Sequence, residues 1–197
     1  MKRWATGLLI AGAVALLLWG SVQPVMGQAS GIDGGSSMRM QIELINRLAV
    51  GLTTLSDQIS KNYTQSWSDG TGANQAKAIY HDERELAASA SENLDLNASL
   101  TDAFGASLVC TSVKALVVHA HSTNTNNVLV GGGSTTITTI FSDTSDRIIV
   151  RPGGTLILTG PDATGHTITG GSADLLTVAN STSGSIVLYD ITVLCEE

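Results

Sequence analysis

The chain has 197 residues and a formal net charge of −7, with 43% hydrophobic, 4% aromatic and 14% charged residues. The apolar fraction excludes a wholly disordered chain. Only ten Lys and Arg stand against seventeen Asp and Glu, which excludes a nucleic-acid binder needing clustered cations to neutralise phosphates. The 21 Ser, 22 Thr and 21 Gly suit an all-β protein with polar, uncharged outer faces.

Residues 1–27 read as a signal peptide. Met1-Lys2-Arg3 is a positive start, Leu8 to Trp19 is a mostly apolar run of 12 residues, and Val25 and Gly27 precede a cut at Gly27/Gln28. The run is shorter than the roughly 20 residues that span a bilayer. Such a segment implies export to the periplasm or medium, an oxidising setting. There Cys110 and Cys195 are either a disulfide or two buried thiols behaving as small hydrophobes. Cys110 opens one strand pattern and Cys195 closes the last, so antiparallel pairing of those strands would bring the two together.

Residues 28–37 read as a Gly/Ser-rich linker. Over residues 38–62 the spacing predicts an amphipathic or coiled-coil helix. Ile45, Leu48, Leu52, Leu55 and Ile59 recur at 3, 4, 3, 4, the a and d positions of a heptad. The stripe must be buried, either against the chain's own domain or against other copies, most simply in a trimer. Asp69-Gly70-Thr71-Gly72 is turn chemistry, without the acidic order and closing Glu of a calcium loop.

Residues 63–197 are expected to form an antiparallel β-sandwich or jelly-roll-like domain. His81 to Glu85 is a helical turn or an edge strand, Glu92 to Leu96 a strand, and Ser99 to Gly105 a short helical turn. Strands follow at Val109 to His121, Asn126 to Val130, Thr136 to Phe141, Arg147 to Arg151, Thr155 to Thr159, Leu175 to Ala179 and Ile186 to Leu194.

The chemistry-bearing residues are few. His119 and His121, two apart on one strand, share a face and would ligate a metal if a third ligand came from elsewhere. No Cys or acidic residue is adjacent in sequence, so the pair reads as ordinary strand histidines, and no metal or cofactor is expected. His81 and His166 read as isolated surface residues. The chain has no GxSxG, HExxH or P-loop, and no catalytic residue is assigned. Asn62, Asn97 and Asn180 each open a glycosylation-acceptor triplet.

A series of short blocks runs through the β region: Ser66-Trp67-Ser68-Asp69-Gly70-Thr71-Gly72, Asp82-Glu83-Arg84-Glu85-Leu86, Leu100-Thr101-Asp102-Ala103-Phe104-Gly105, Val150-Arg151-Pro152-Gly153-Gly154 and Asp174-Leu175-Leu176-Thr177-Val178. This series resembles small structural proteins of tailed bacteriophages and prophages, of the head-fibre, decoration or tail-appendage kind. The resemblance implies a non-enzymatic virion-surface protein, often oligomeric, with other virion proteins as partners. An exported cell-surface or carbohydrate-binding module is the other reading; it draws on the signal pattern and on Trp67 and Tyr80 as exposed aromatics with a glycan as partner.

Overall fold

The computed structural model describes residues 36–50 and 53–197. The expected signal peptide and most of the linker lie outside the described residues. In chain order the strands are β1 Ser36–Val50, β2 Thr53–Asp69, β3 Gln75–Ala76, β4 Ala78–Leu86, β5 Ser91–Asp95 and β6 Ser112–Ala120. They continue with β7 Val128–Gly131, β8 Arg147–Val150, β9 Thr155–Thr159, β10 His166–Thr167, β11 Leu175–Asn180 and β12 Val187–Glu196. The described residues are all-β and contain no helix.

Two antiparallel sheets carry the core. One runs β10–β6–β12–β4, with β9 on the same edge of β6 as β10; the other runs β5–β11–β7–β8. Strands of the two sheets alternate period-two burial. In β12, Val187, Tyr189, Ile191, Val193 and Cys195 point inward and are at most 1% exposed. They meet Leu94, Val128, Val130, Leu176 and Val178 of the facing sheet in one cluster, giving a sandwich-like pair of layers. Each such side chain contributes about 1.5–3 kcal/mol by leaving water.

Over residues 38–62, where heptad spacing predicts a helix, the described residues are strands instead. β1 and β2 pair antiparallel from Ser36↔Trp67 to Val50↔Thr53, with residues 51 and 52 outside the described set. The physical reason is a second period in the same letters. Met38, Met40, Ile42 and Leu44 alternate with Arg39, Gln41 and Glu43, the period of a strand. The register then sets Met40 opposite Tyr63 and Leu44 opposite Ile59. Trp67, at the end of β2, is buried with Ala76, Ala115 and Leu194, and Met38 packs against them. This contact fixes the base of the ribbon to the outer face of β6 and β12.

A second expectation fails at Thr136 to Phe141. The segment is a turn, in which Ile140 N and Phe141 N both donate to Ile137 O. The turn sends both Ile137 and Phe141 into the core. It also explains Gly131, whose φ is 102°: a Cβ there would sit 2.6 Å from the Phe141 ring and 2.7 Å from Asp146 O. The acid/base stretch at His81 to Glu85, read as a turn or an edge strand, lies within the edge strand β4.

Between Leu194 and Cys195 the β6–β12 register slips, so that Leu194 faces Ala115 but Cys195 faces Val113. Lys114 is the extra residue of this bulge. Its side chain is wholly buried; Nζ donates to Asp162 O at 3.0 Å and Ala163 O at 2.8 Å, and lies 3.2 Å from Glu196 Oε2. Beside the bulge Cys110 and Cys195 are bonded, Cα to Cα 5.6 Å.

Candidate functional site

The outer face of the β4–β12–β6–β9 layer is built in rows, because antiparallel registers set residues directly opposite one another. The first row is Ile79, Leu194, Ala115 and Thr159; its centre lies beneath Trp67 at the ribbon base. The second is His81, Thr192, Val117 and Ile157, and the third is Glu83, Asp190, His119 and Thr155. Beyond it Leu188 faces Glu85, and His121 N donates to Leu188 O at 3.1 Å. Three of the chain's four histidines therefore share one face with three carboxylates.

Within this face His121 Nε2 is 3.2 Å from Asp190 Oδ2, and Glu83 completes a group whose ligand atoms all lie within 4.8 Å of one another. His119 Nδ1 is 2.8 Å from Thr155 Oγ1, which leaves Nε2 as its other nitrogen. The His119 and His121 rings stand 6.1 Å apart between centroids. Asn124 holds the neighbouring strand by both sides of one residue: its Nδ2 donates to Leu188 O at 2.8 Å, and its Oδ1 accepts from Leu188 N at 2.9 Å. Strand ladders on both sides of Asp190 and this clamp fix the backbone that presents the group.

The opposite face of β4 carries a separate polar network. Tyr189 Oη donates to Glu92 Oε1 at 2.7 Å, while Arg84 Nε and Nη2 both donate to Glu92 Oε2. Arg84 Nη1 donates to Asp82 Oδ2 at 2.8 Å, and Tyr80 Oη donates to the same oxygen at 3.2 Å. An open groove runs past these groups, lined also by Asn93, Ser99 and Asp102. Bonding to Glu92 pushes the Arg84 guanidinium up from its ordinary value. Burial, and then the bond to Glu92, push the Tyr189 hydroxyl well above the tyrosine range; burial raises Tyr80 too.

Since the folded Tyr189 value is raised, its contribution is complete below about pH 10 and is lost as pH rises through the folded value. Absorbance titration should show Tyr189 resisting ionisation until the protein unfolds, with Tyr80 ionising above the ordinary tyrosine value. Normal ionisation of every tyrosine near pH 10 in the folded state would contradict the network.

The residues singled out in the sequence fall as follows. Cys110 and Cys195 are joined. Ile45 and Leu48 lie on β1 and Leu55 and Ile59 on β2, while Leu52 lies outside the described residues. Ile59 is 46% exposed. Asp190 and Glu83, which sequence reasoning left out of any site, join the histidines only through strand pairing, 69 and 38 positions away from His121. No spacing rule within one segment reveals them.

The exposed aromatics proposed for glycan binding are a correction: Trp67 is 3% and Tyr80 5% exposed, because each sits in a packed cluster. Among the described residues the exposed aromatics are Tyr63 and Phe104. Among the acceptor triplets, Asn62 is exposed, but Asn97 Nδ2 is bonded to Cys110 O and Asn180 is buried with Nδ2 on Ser185 O and Ala87 O.

No family model matches the chain, and no curated protein or solved structure matches it.

Proposed function

We propose that the protein is a non-enzymatic structural module of a surface assembly, a phage-derived fibre, decoration or appendage protein, built from a jelly-roll domain that associates with copies of itself through the β1–β2 ribbon. The strand orders β4–β12–β6–β9 and β5–β11–β7–β8 support the jelly-roll reading, since the chain passes between the layers as two interlocked Greek keys. The buried disulfide suits a virion or cell surface, where thiols stay oxidised. The non-enzymatic reading rests on a sequence that carries none of the familiar catalytic motifs.

One observation carries the assembly reading. Residues 58–64 of β2 are all exposed, as are Arg39, Met40, Gln41 and Glu43 of β1, so this stretch of ribbon is not packed on the sandwich. Met40, Ile59 and Tyr63 leave apolar area in water at 43%, 46% and 55% exposure. A two-stranded ribbon without a covered face is marginal in water. Among the described residues β1 pairs with β2 alone, leaving a 15-residue strand with an open edge and no proline to blunt it. An identical ribbon offers the matching edge and the matching apolar face, so the occupant is a second copy.

The test is light scattering on the full chain and on the Met40→Thr, Tyr63→Thr double variant, which removes the apolar area but keeps a strand-compatible pair in these directly opposed positions. Two side chains at about 1.5 kcal/mol or more each predict dissociation at least ~100-fold weaker. The melting temperature of the separated domain should hardly move, because neither residue touches the core cluster. A wild-type chain that is monomeric at every accessible concentration refutes the proposal.

A further inference from the structure

We propose that Glu83, Asp190 and His121 form a binding site for a divalent transition-metal ion of the zinc class, independent of the ribbon. The geometry comes first. Two ligands bonded at about 2.0–2.1 Å to a tetrahedral ion stand roughly 3.3 Å apart. His121 Nε2 and Asp190 Oδ2 are already 3.2 Å apart, and the Glu83 carboxylate lies within the same 4.8 Å group. A small rotation of exposed Glu83 brings its oxygen to the same centre, while the two backbone segments behind His121 and Asp190 stay fixed by the ladder and the Asn124 clamp.

Charge supplies a second, separate argument. Register places Glu83 directly opposite Asp190 on adjacent antiparallel strands. Like charges in that position repel and weaken a sheet. The three rows of this face contain no Lys or Arg to offset them. Arg84, the neighbour of Glu83 in sequence, points to the other side of the strand and is engaged with Asp82 and Glu92. A bound cation removes the repulsion between Glu83 and Asp190 and joins β4, β12 and the segment just after β6 at one point.

The donor set chooses the ion. One imidazole with two carboxylates favours first-row divalent ions over calcium or magnesium, which take oxygen ligands throughout. His119 occupies the same row as Asp190, with its Nδ1 on Thr155 and its ring centroid 6.1 Å from that of His121, so a second imidazole flanks the group without belonging to it.

Titration calorimetry of the tag-free full chain with zinc chloride tests the site. One ion per chain is expected to bind, with calcium and magnesium giving no heat at the same concentrations. His121→Ala and Asp190→Asn should each weaken zinc binding at least ~10-fold, the scale on which even the supporting residues of metal sites act. Glu83→Gln, at an exposed position, should weaken it as well without touching the fold. His166→Ala should leave it unchanged, since His166 sits on β10 with Nδ1 at Thr139 O. Thermal melting of each variant shows that it is folded. Absence of zinc binding, or equal affinity in wild type and in folded Glu83→Gln and Asp190→Asn, overturns the proposal and leaves an ordinary surface ion pair.

Discussion

Replacing Cys110 and Cys195 together by alanine is expected to lower stability by about 4 kcal/mol. The bond closes a loop with a sequence separation of 85, and loops of that size restrict the unfolded chain by roughly 4–5 kcal/mol in the chain-entropy account. Both sulfurs are fully buried, so alanine leaves a small apolar gap rather than a stranded polar group. The location adds to the effect. Cys110 leads into β6 and receives its own ladder from outside the sheet, its N donating to Leu96 O. Cys195 ends the buried run of β12 beside the bulge. The bond therefore ties the segment leading into β6 to the last strand of the chain. Urea unfolding should show the loss, with a melting temperature lower by about 10 °C. Reduction of the wild-type protein should reproduce it. A loss below about 1 kcal/mol would mean that the loop is already held closed in the unfolded ensemble.

The Lys114→Ala variant should lose about 3 kcal/mol, and Lys114→Met about 2 kcal/mol, because methionine keeps the stem's packing but not the charge. The ammonium is fully buried and serves three oxygens, two of them carbonyls of the 160–165 turn. Removing it strands those carbonyls and leaves Glu196, whose side chain is 18% exposed, beside an empty site. Water at Glu196 tempers the loss, which is why the value lies below that of a sealed pair. The same turn is braced by Asp162, whose carboxylate accepts Gly165 N and Thr164 N. Those amide bonds, with Lys114 nearby, hold its pKa below the usual carboxylate value. Its support is thus complete above the ordinary Asp range and fades as pH falls through the lowered value. Urea midpoints of the two Lys114 variants at neutral pH check the prediction; a neutral Lys114→Ala would contradict the role given to Nζ.

Much of the sandwich was legible because its strands alternate cleanly. Thr155 to Thr159 was bounded as β9, and Leu175 to Ala179 and Ile186 to Leu194 nearly as β11 and β12. The turns at Gly131 and Gly153 were marked by glycines that take positive φ. The ribbon was not legible, for Met38 to Ile59 carries two periods at once. Heptad spacing across Ile45, Leu48, Leu52, Leu55 and Ile59 competes with the alternation of Met38, Met40, Ile42 and Leu44. Local pattern cannot choose between them, since the choice depends on Trp67 anchoring the second strand beneath Met38. Lys114 was hidden for a related reason: a bulge turns one residue out of the alternating count, and no local signal marks it. The histidine face failed differently. His119 and His121 were visible as a pair, but their acidic neighbours come from β4 and β12 through register alone.

A ribbon covered by a second copy of the chain would have its amides shielded by association. Hydrogen exchange of the amides in Ser36–Val50 and Thr53–Asp69, measured across a wide range of protein concentration, tests it most directly. Protection of both strands, centred on Met40 and Tyr63, is expected to rise with concentration while the amides of β6 and β12 stay equally protected throughout. Ribbon amides that exchange at one rate at every concentration would contradict it.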